Sequence, residues 1–416
     1  MISQIIKKRF LKIKIQDLKM KKKLNLVLTL LPAFFLIGSF STFIEIFLPI
    51  LKHHFNINYA TLSLFDTAFF ITYAFMSVII AFVVDKVGLK KGFLMALGIL
   101  ILSCVNWGIL FRLNNASIYY FLINTFIMAV GVVVLFIICE YVGLFYSDKK
   151  DTGKLSMFQS MHSLGAFLTP FVISTIIYSK SEINHKSFEN LSNLSFIFII
   201  FIILSIVLMT RVKYINAPHL SSKFDKSSSS NWNAERFYKW LALFLYVGVE
   251  VTLATFLMNQ AISKFEVSPS FGAKLFTTYW LLMIVGRFIG GFLIAPNNEK
   301  KLVFIMCSIN IILVGFSVFS YSIWGLLALT ATGLLNAILF PLLFSLGFQN
   351  KESLNIKQSG VMATAISGGA IVPLFTGLLA DTFSLNSSLF LSIICYLLII
   401  FLQRSLPKKV NSVTNC

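Results

Sequence analysis

Twelve long apolar runs constrain this chain more than any other feature. They fall at roughly 24–51, 59–84, 90–111, 118–146, 154–178, 191–210, 237–261, 269–294, 301–320, 323–348, 357–380 and 387–405. A helix of about 20 residues crosses the roughly 30 Å hydrocarbon core of a bilayer. In lipid only helices and closed barrels satisfy the backbone internally. Barrel strands would alternate polar and apolar residues over about ten positions, and these runs do not. The expected fold class is an all-α polytopic membrane protein.

Composition excludes the soluble alternatives. The chain is 57% hydrophobic and 12% charged, against about 25% charged for a soluble domain. A net charge of +19 would suit nucleic acid, but no basic face interleaves with aromatics in any soluble-looking stretch. No nucleic-acid partner is expected; the lipid bilayer is. Cys104, Cys139, Cys307, Cys395 and Cys416 show no metal spacing and read as small hydrophobes. Neither a metal nor a cofactor is expected. There is no HExxH, GxSxG or P-loop signature, so the chain does not read as an enzyme. Nor is any segment outside the spans long enough for a signalling domain, which counts against a non-transporting sensor.

Six runs precede the hydrophilic stretch 211–236, with its serines Ser221, Ser222 and Ser227 to Ser230, and six follow it. That composition reads as a flexible linker. The expected organisation is a basic segment 1–23, a six-helix half over 24–210, the linker, a second half over 237–405 and a tail over 406–416. Two such halves around a linker form a known transporter architecture. Lys and Arg set the orientation. With a cytoplasmic N-terminus, inside segments carry 28 of the 35 basic residues, outside loops carry Lys52, Arg112, Lys180, Lys186, Lys264 and Lys274, and Arg287 lies within a span. Both termini are expected in the cytoplasm, in a bacterial plasma membrane, with the carrier a monomer. The first run is too long for a signal-peptide core, and Met20, before three lysines, is a second candidate start.

Ionisable residues inside spans are costly and so mark function. Glu45, Asp66, Glu140, Glu250 and Arg287 qualify, with His162 as a titratable addition. For each one the alternative is a packing hydrogen bond. The loop Asp85-Lys86-Val87-Gly88-Leu89-Lys90-Lys91 joins the second and third runs. Gly88 permits a tight turn, and Asp85 with Lys90 and Lys91 forms a candidate conformational latch. This loop resembles the signature of the major facilitator superfamily, with Ala81 where a glycine is usual. The matching place in the second half reads Gly286-Arg287-Phe288-Ile289-Gly290-Gly291, where Arg287 is expected to reach a cytoplasmic partner.

Several segments resemble the fucose:proton symporter family of that superfamily. They include Phe43 to Pro49, Cys139-Glu140-Tyr141, Phe158 to Ala166, Tyr246 to Val251, Tyr279-Trp280, Asn336-Ala337-Ile338 and Ser367 to Ile371. The resemblance implies twelve transmembrane helices in two halves, and a proton-coupled carrier importing a monosaccharide of the fucose, galactose or glucose class. It places proton coupling and sugar recognition on Glu45 and Glu140. His162 stands where sugar carriers of the family commonly have asparagine, which leaves a different solute, or export, as the alternative. Gln159, His162, Asn259 and Asn336 are candidate hydroxyl partners, Tyr279 and Trp280 candidate stacking platforms, and Glu250 a structural partner for Arg287.

Overall fold

The protein, seen in a computed structural model, is described for residues 30–44, 51, 55–56, 59–113, 116–146, 152–177, 185–211, 234–267, 269–295, 298–348 and 355–404. The expected basic segment 1–23, nearly all of the linker, the tail and Glu45 lie outside these residues.

The first half holds α1 (Leu30–Ile44), α2 (Tyr59–Val87), α3 (Leu89–Leu110), α4 (Ile118–Tyr146), α5 (Thr152–Ile177) and α6 (His185–Arg211). The second holds α7 (Ala234–Ser263), α8 (Pro269–Leu293), α9 (Glu299–Phe319) and α10 (Ile323–Leu346). An eleventh span is built from α11 (Ile356–Ala363), a 3-10 turn (Thr364–Ser367) and α12 (Gly368–Thr382), and a twelfth from α13 (Leu385–Ser388) and α14 (Phe390–Arg404). Ten helical segments are long and apolar enough to cross a membrane; α1 as described is shorter, and α5 is not among the ten. No strand occurs among the described residues.

Lipid is the solvent this surface needs. Phe75, Phe292, Ile312 and Phe401 are each at least 65% exposed, which water would penalise by roughly 25 cal/mol for every Å². Inside, hydroxyls bond back one turn: Thr72 to Ala68 O, Thr125 to Phe121 O and Thr252 to Gly248 O. These three hydroxyls are thus satisfied without breaking the helices.

Local chemistry explains the sharper turns. Gly88 reverses the chain between α2 and α3 at φ 87° while donating to Val84 O at 2.8 Å. A Cβ there would meet nothing within 4 Å, so backbone conformation alone demands glycine. Asn355 starts α11 by accepting from the Gln358 N–H at 2.9 Å.

The two halves meet through α5 against α8 and α10, and through α2 against α11 and α12. Much of this contact lies near the end of the bundle that carries Lys86, Lys154, Lys300 and Lys357, here called the basic end. Thr152 donates to Glu299 Oε1 at 2.7 Å and lies 2.9 Å from Ser345 Oγ, and Ser156 donates to Arg287 O at 2.7 Å. Across the other contact Gly360 sits on Ala81: a Cβ at Gly360 would come within 2.4 Å of the Ala81 methyl and 2.8 Å of Ser77 O. The small residue that such a crossing needs is therefore supplied by α11, which is why alanine is tolerated at position 81.

Candidate solute-binding cavity

Midway along the bundle, between the halves, the helices leave a cavity of about 100 Å³. Ser41 and Thr42 reach it from α1, Phe69, Phe70 and Tyr73 from α2, Phe136 and Glu140 from α4, and Gln159 and His162 from α5. The second half contributes Val247, Glu250, Val251 and Ala254 from α7, Trp280 and Arg287 from α8, Phe340 from α10 and Ile366 from the 3-10 turn. Helical period explains the set: Phe69 and Tyr73, like Phe136 and Glu140, are four residues apart and share a face.

The polar groups gather toward the basic end. Gln159 Nε2 donates to Glu140 Oε1 at 2.7 Å. The other carboxylate oxygen, Oε2, and the amide oxygen of Gln159 are buried with no hydrogen-bond partner. Across the gap, Arg287 Nη1 donates to Gln159 O at 2.9 Å and lies 3.0 Å from His162 Nδ1. Its Nη2 stands 3.8 Å from Glu250 Oε1. Arg287 Nε and Trp280 Nε1 are buried donors with no partner. Unsatisfied acceptors and donors thus belong to residues that line one mid-bundle space, and buried polar groups of this kind call for partners.

Behind this wall the second half is braced. The Asn336 side chain donates to Tyr279 OH at 3.1 Å and accepts from Tyr396 OH at 2.6 Å and Asn310 Nδ2 at 2.9 Å. Tyr246 OH donates to Asn336 O at 2.7 Å, and Tyr279 OH lies 3.5 Å from Glu250 O. One buried network joins α7, α8, α9, α10 and α14 and holds the backbone of Glu250.

Glu140, Gln159, His162, Trp280, Glu250 and Arg287 are therefore brought together. Four expectations need correction. Asn259 is exposed near the far end of α7, outside the cavity lining. Tyr279 is fully buried, with its hydroxyl spent on the network, so it is no open platform. Asn336 stands behind the cavity as a hub. Arg287, expected at a cytoplasmic latch, points into the cavity, because α8 runs on from it for six residues to the basic end. Asp66 lies three and four residues before the lining Phe69 and Phe70 and is not itself in the lining.

The loop acid Asp85 pairs with Lys357 of α11 at 3.0 Å, a contact that crosses between the halves. Lys357 also caps the Phe82 ring at 4.9 Å. Sequence reading missed Lys357, since no local spacing links residues 272 positions apart. It also missed Tyr73, Phe136 and Phe340; of these, Phe136 lies four residues before Glu140, a spacing that could have flagged it.

A paired-half bundle around a mid-bundle cavity, mostly apolar with a few polar groups at one end, is the architecture of a secondary carrier. The chain belongs to the major facilitator superfamily, whose family model matches residues 30–355. It is 30% identical over 386 residues to the putative glucose/galactose transporter of Helicobacter pylori strain J99, covering 88% of this chain and 93% of that one. It is 23% identical over 377 residues to the L-fucose-proton symporter of Escherichia coli strain K12, covering 84% and 85%. In structure it is similar to FucP in the outward conformation, with a TM-score of 0.75 at 21% identity over 92% of this chain and 99% of that one.

Proposed function

We propose that this protein imports a monosaccharide of the fucose, galactose or glucose class together with a proton, by alternating access. The observation that carries the reading is Glu140: a fully buried cavity carboxylate with one oxygen held by Gln159 and the other without a partner. As an anion it is costly to occlude. Protonation from outside removes that cost, and a bound hydroxyl satisfies the idle oxygen. The loaded carrier then reorients and releases both. The relatives named for glucose, galactose and fucose support this solute class.

Glu45 is proposed to share proton coupling with Glu140, and Gln159, His162 and Trp280 to bind the sugar. The basic end is read as cytoplasmic, with both termini there, in the plasma membrane of a bacterium and as a monomer. The contacts that close the basic end then belong to an outward-facing state, latched by Asp85 and Lys357. One proton crossing 100 mV contributes about 2.3 kcal/mol, enough to accumulate a neutral sugar roughly 50-fold.

The test is to add monosaccharides one at a time to weakly buffered vesicles holding the carrier, with no preset gradient. External alkalinisation with a sugar, absent in Glu140→Gln, is the expected result. No response to any sugar from folded protein would remove the sugar reading and favour the alternatives, another small solute or export.

A further inference from the structure

His162 lines the cavity beside Arg287, and its surroundings fix its chemistry. Arg287 Nη1 lies 3.0 Å from His162 Nδ1. A guanidinium has donors and no acceptor. Nδ1 must therefore accept, so the ring is neutral and its single proton sits on Nε2. An imidazolium would set N–H against N–H and bring two cations into contact. Arg287 is itself fixed, because the same Nη1 donates to Gln159 O on the helix that carries His162.

We propose that Arg287 locks His162 as the Nε2–H tautomer, so that this position donates to the solute and cannot accept from it. This rests on the reading of the chain as a monosaccharide carrier and deepens it. An asparagine at the same place would offer a donor and an acceptor. With the ring locked, accepting falls to the partnerless Glu140 Oε2 and Gln159 Oε1. His162 thus selects for an oxygen at one position of the sugar whether or not that oxygen carries a proton. It is a specificity residue and takes no part in carrying the coupled proton.

Two measurements test this on the full chain. The first is nitrogen NMR of histidine-labelled carrier without sugar at neutral pH, with the His162 signals assigned by their loss in His162→Leu. The expected result is a protonated Nε2 and a bare Nδ1; a proton on Nδ1, or on both atoms, overturns the proposal. The second is competition against uptake by monosaccharides in which each hydroxyl in turn becomes hydrogen, fluorine or methoxy. At one position the deoxy sugar should bind roughly 10-fold more weakly while the fluoro or methoxy sugar loses about 3-fold or less, and His162→Leu should erase that difference. The proposal is overturned if every position that rejects the deoxy sugar rejects the others equally, or if the pattern survives in His162→Leu. If no monosaccharide binds folded protein, the sugar reading fails, while the NMR result still decides the tautomer.

Discussion

The two walls of the cavity each carry a buried glutamate, and they hold it differently. On the first half Glu140 has an amide partner and an idle oxygen. On the second half Glu250 stands 3.8 Å from a guanidinium, with its backbone oxygen beside Tyr279 and the Asn336 network behind it. One acid keeps an oxygen without a partner; the other is held in a fixed framework. The difference teaches that burial alone does not mark a coupling site. On the proposed reading, what marks one is burial with an idle oxygen and no cation in ion-pair contact.

If that contrast is right, the second wall breaks when altered and the first does not. Glu250→Gln leaves Arg287 buried beside neutral acceptors, and breaking a buried pair from one side costs about 3 kcal/mol. Thermal unfolding in detergent should show that loss, and adding Arg287→Gln should restore most of it. Glu140→Gln in the same assay should leave stability unchanged or raised, since it removes a buried charge whose desolvation no contact ion pair offsets.

Asn336→Ala comes next. It strands Tyr396 OH and Asn310 Nδ2 in the core and takes away the donor to Tyr279 OH, for a cost of about 2 kcal/mol. Gln159→Ala, on the other wall, should cost less than half as much in the same unfolding assay.

The smallest effect falls at the basic end. Asp85 and Lys357 are 43% and 31% exposed, and such pairs contribute under about 1 kcal/mol. Lys357→Met should leave unfolding unchanged within that limit while shifting the balance between carrier states. Cysteines placed in the cavity should then react less readily with an impermeant reagent applied from outside.

The sequence made the bundle legible because a twelve-fold repeat of apolar runs has few solutions in lipid. In-span charges pointed to Glu140, Glu250 and Arg287 because such residues are rare for a physical reason. Legibility failed where a role depends on rotation about the helix axis or on remote chain. Asn336 and Tyr279 turn away from the cavity while Trp280, next in sequence, turns into it. No local pattern distinguishes a polar residue facing the cavity from one facing the core. Lys357 was missed for the second reason, and Ala81 became intelligible only once Gly360 was seen against it.

The central claim is that Glu140 couples proton to solute. It is tested most directly by measuring sugar exchange and sugar accumulation side by side in energised vesicles carrying Glu140→Gln. The account predicts that exchange at equal concentrations persists while accumulation falls from roughly 50-fold to none. Accumulation at or near the wild-type level would contradict it.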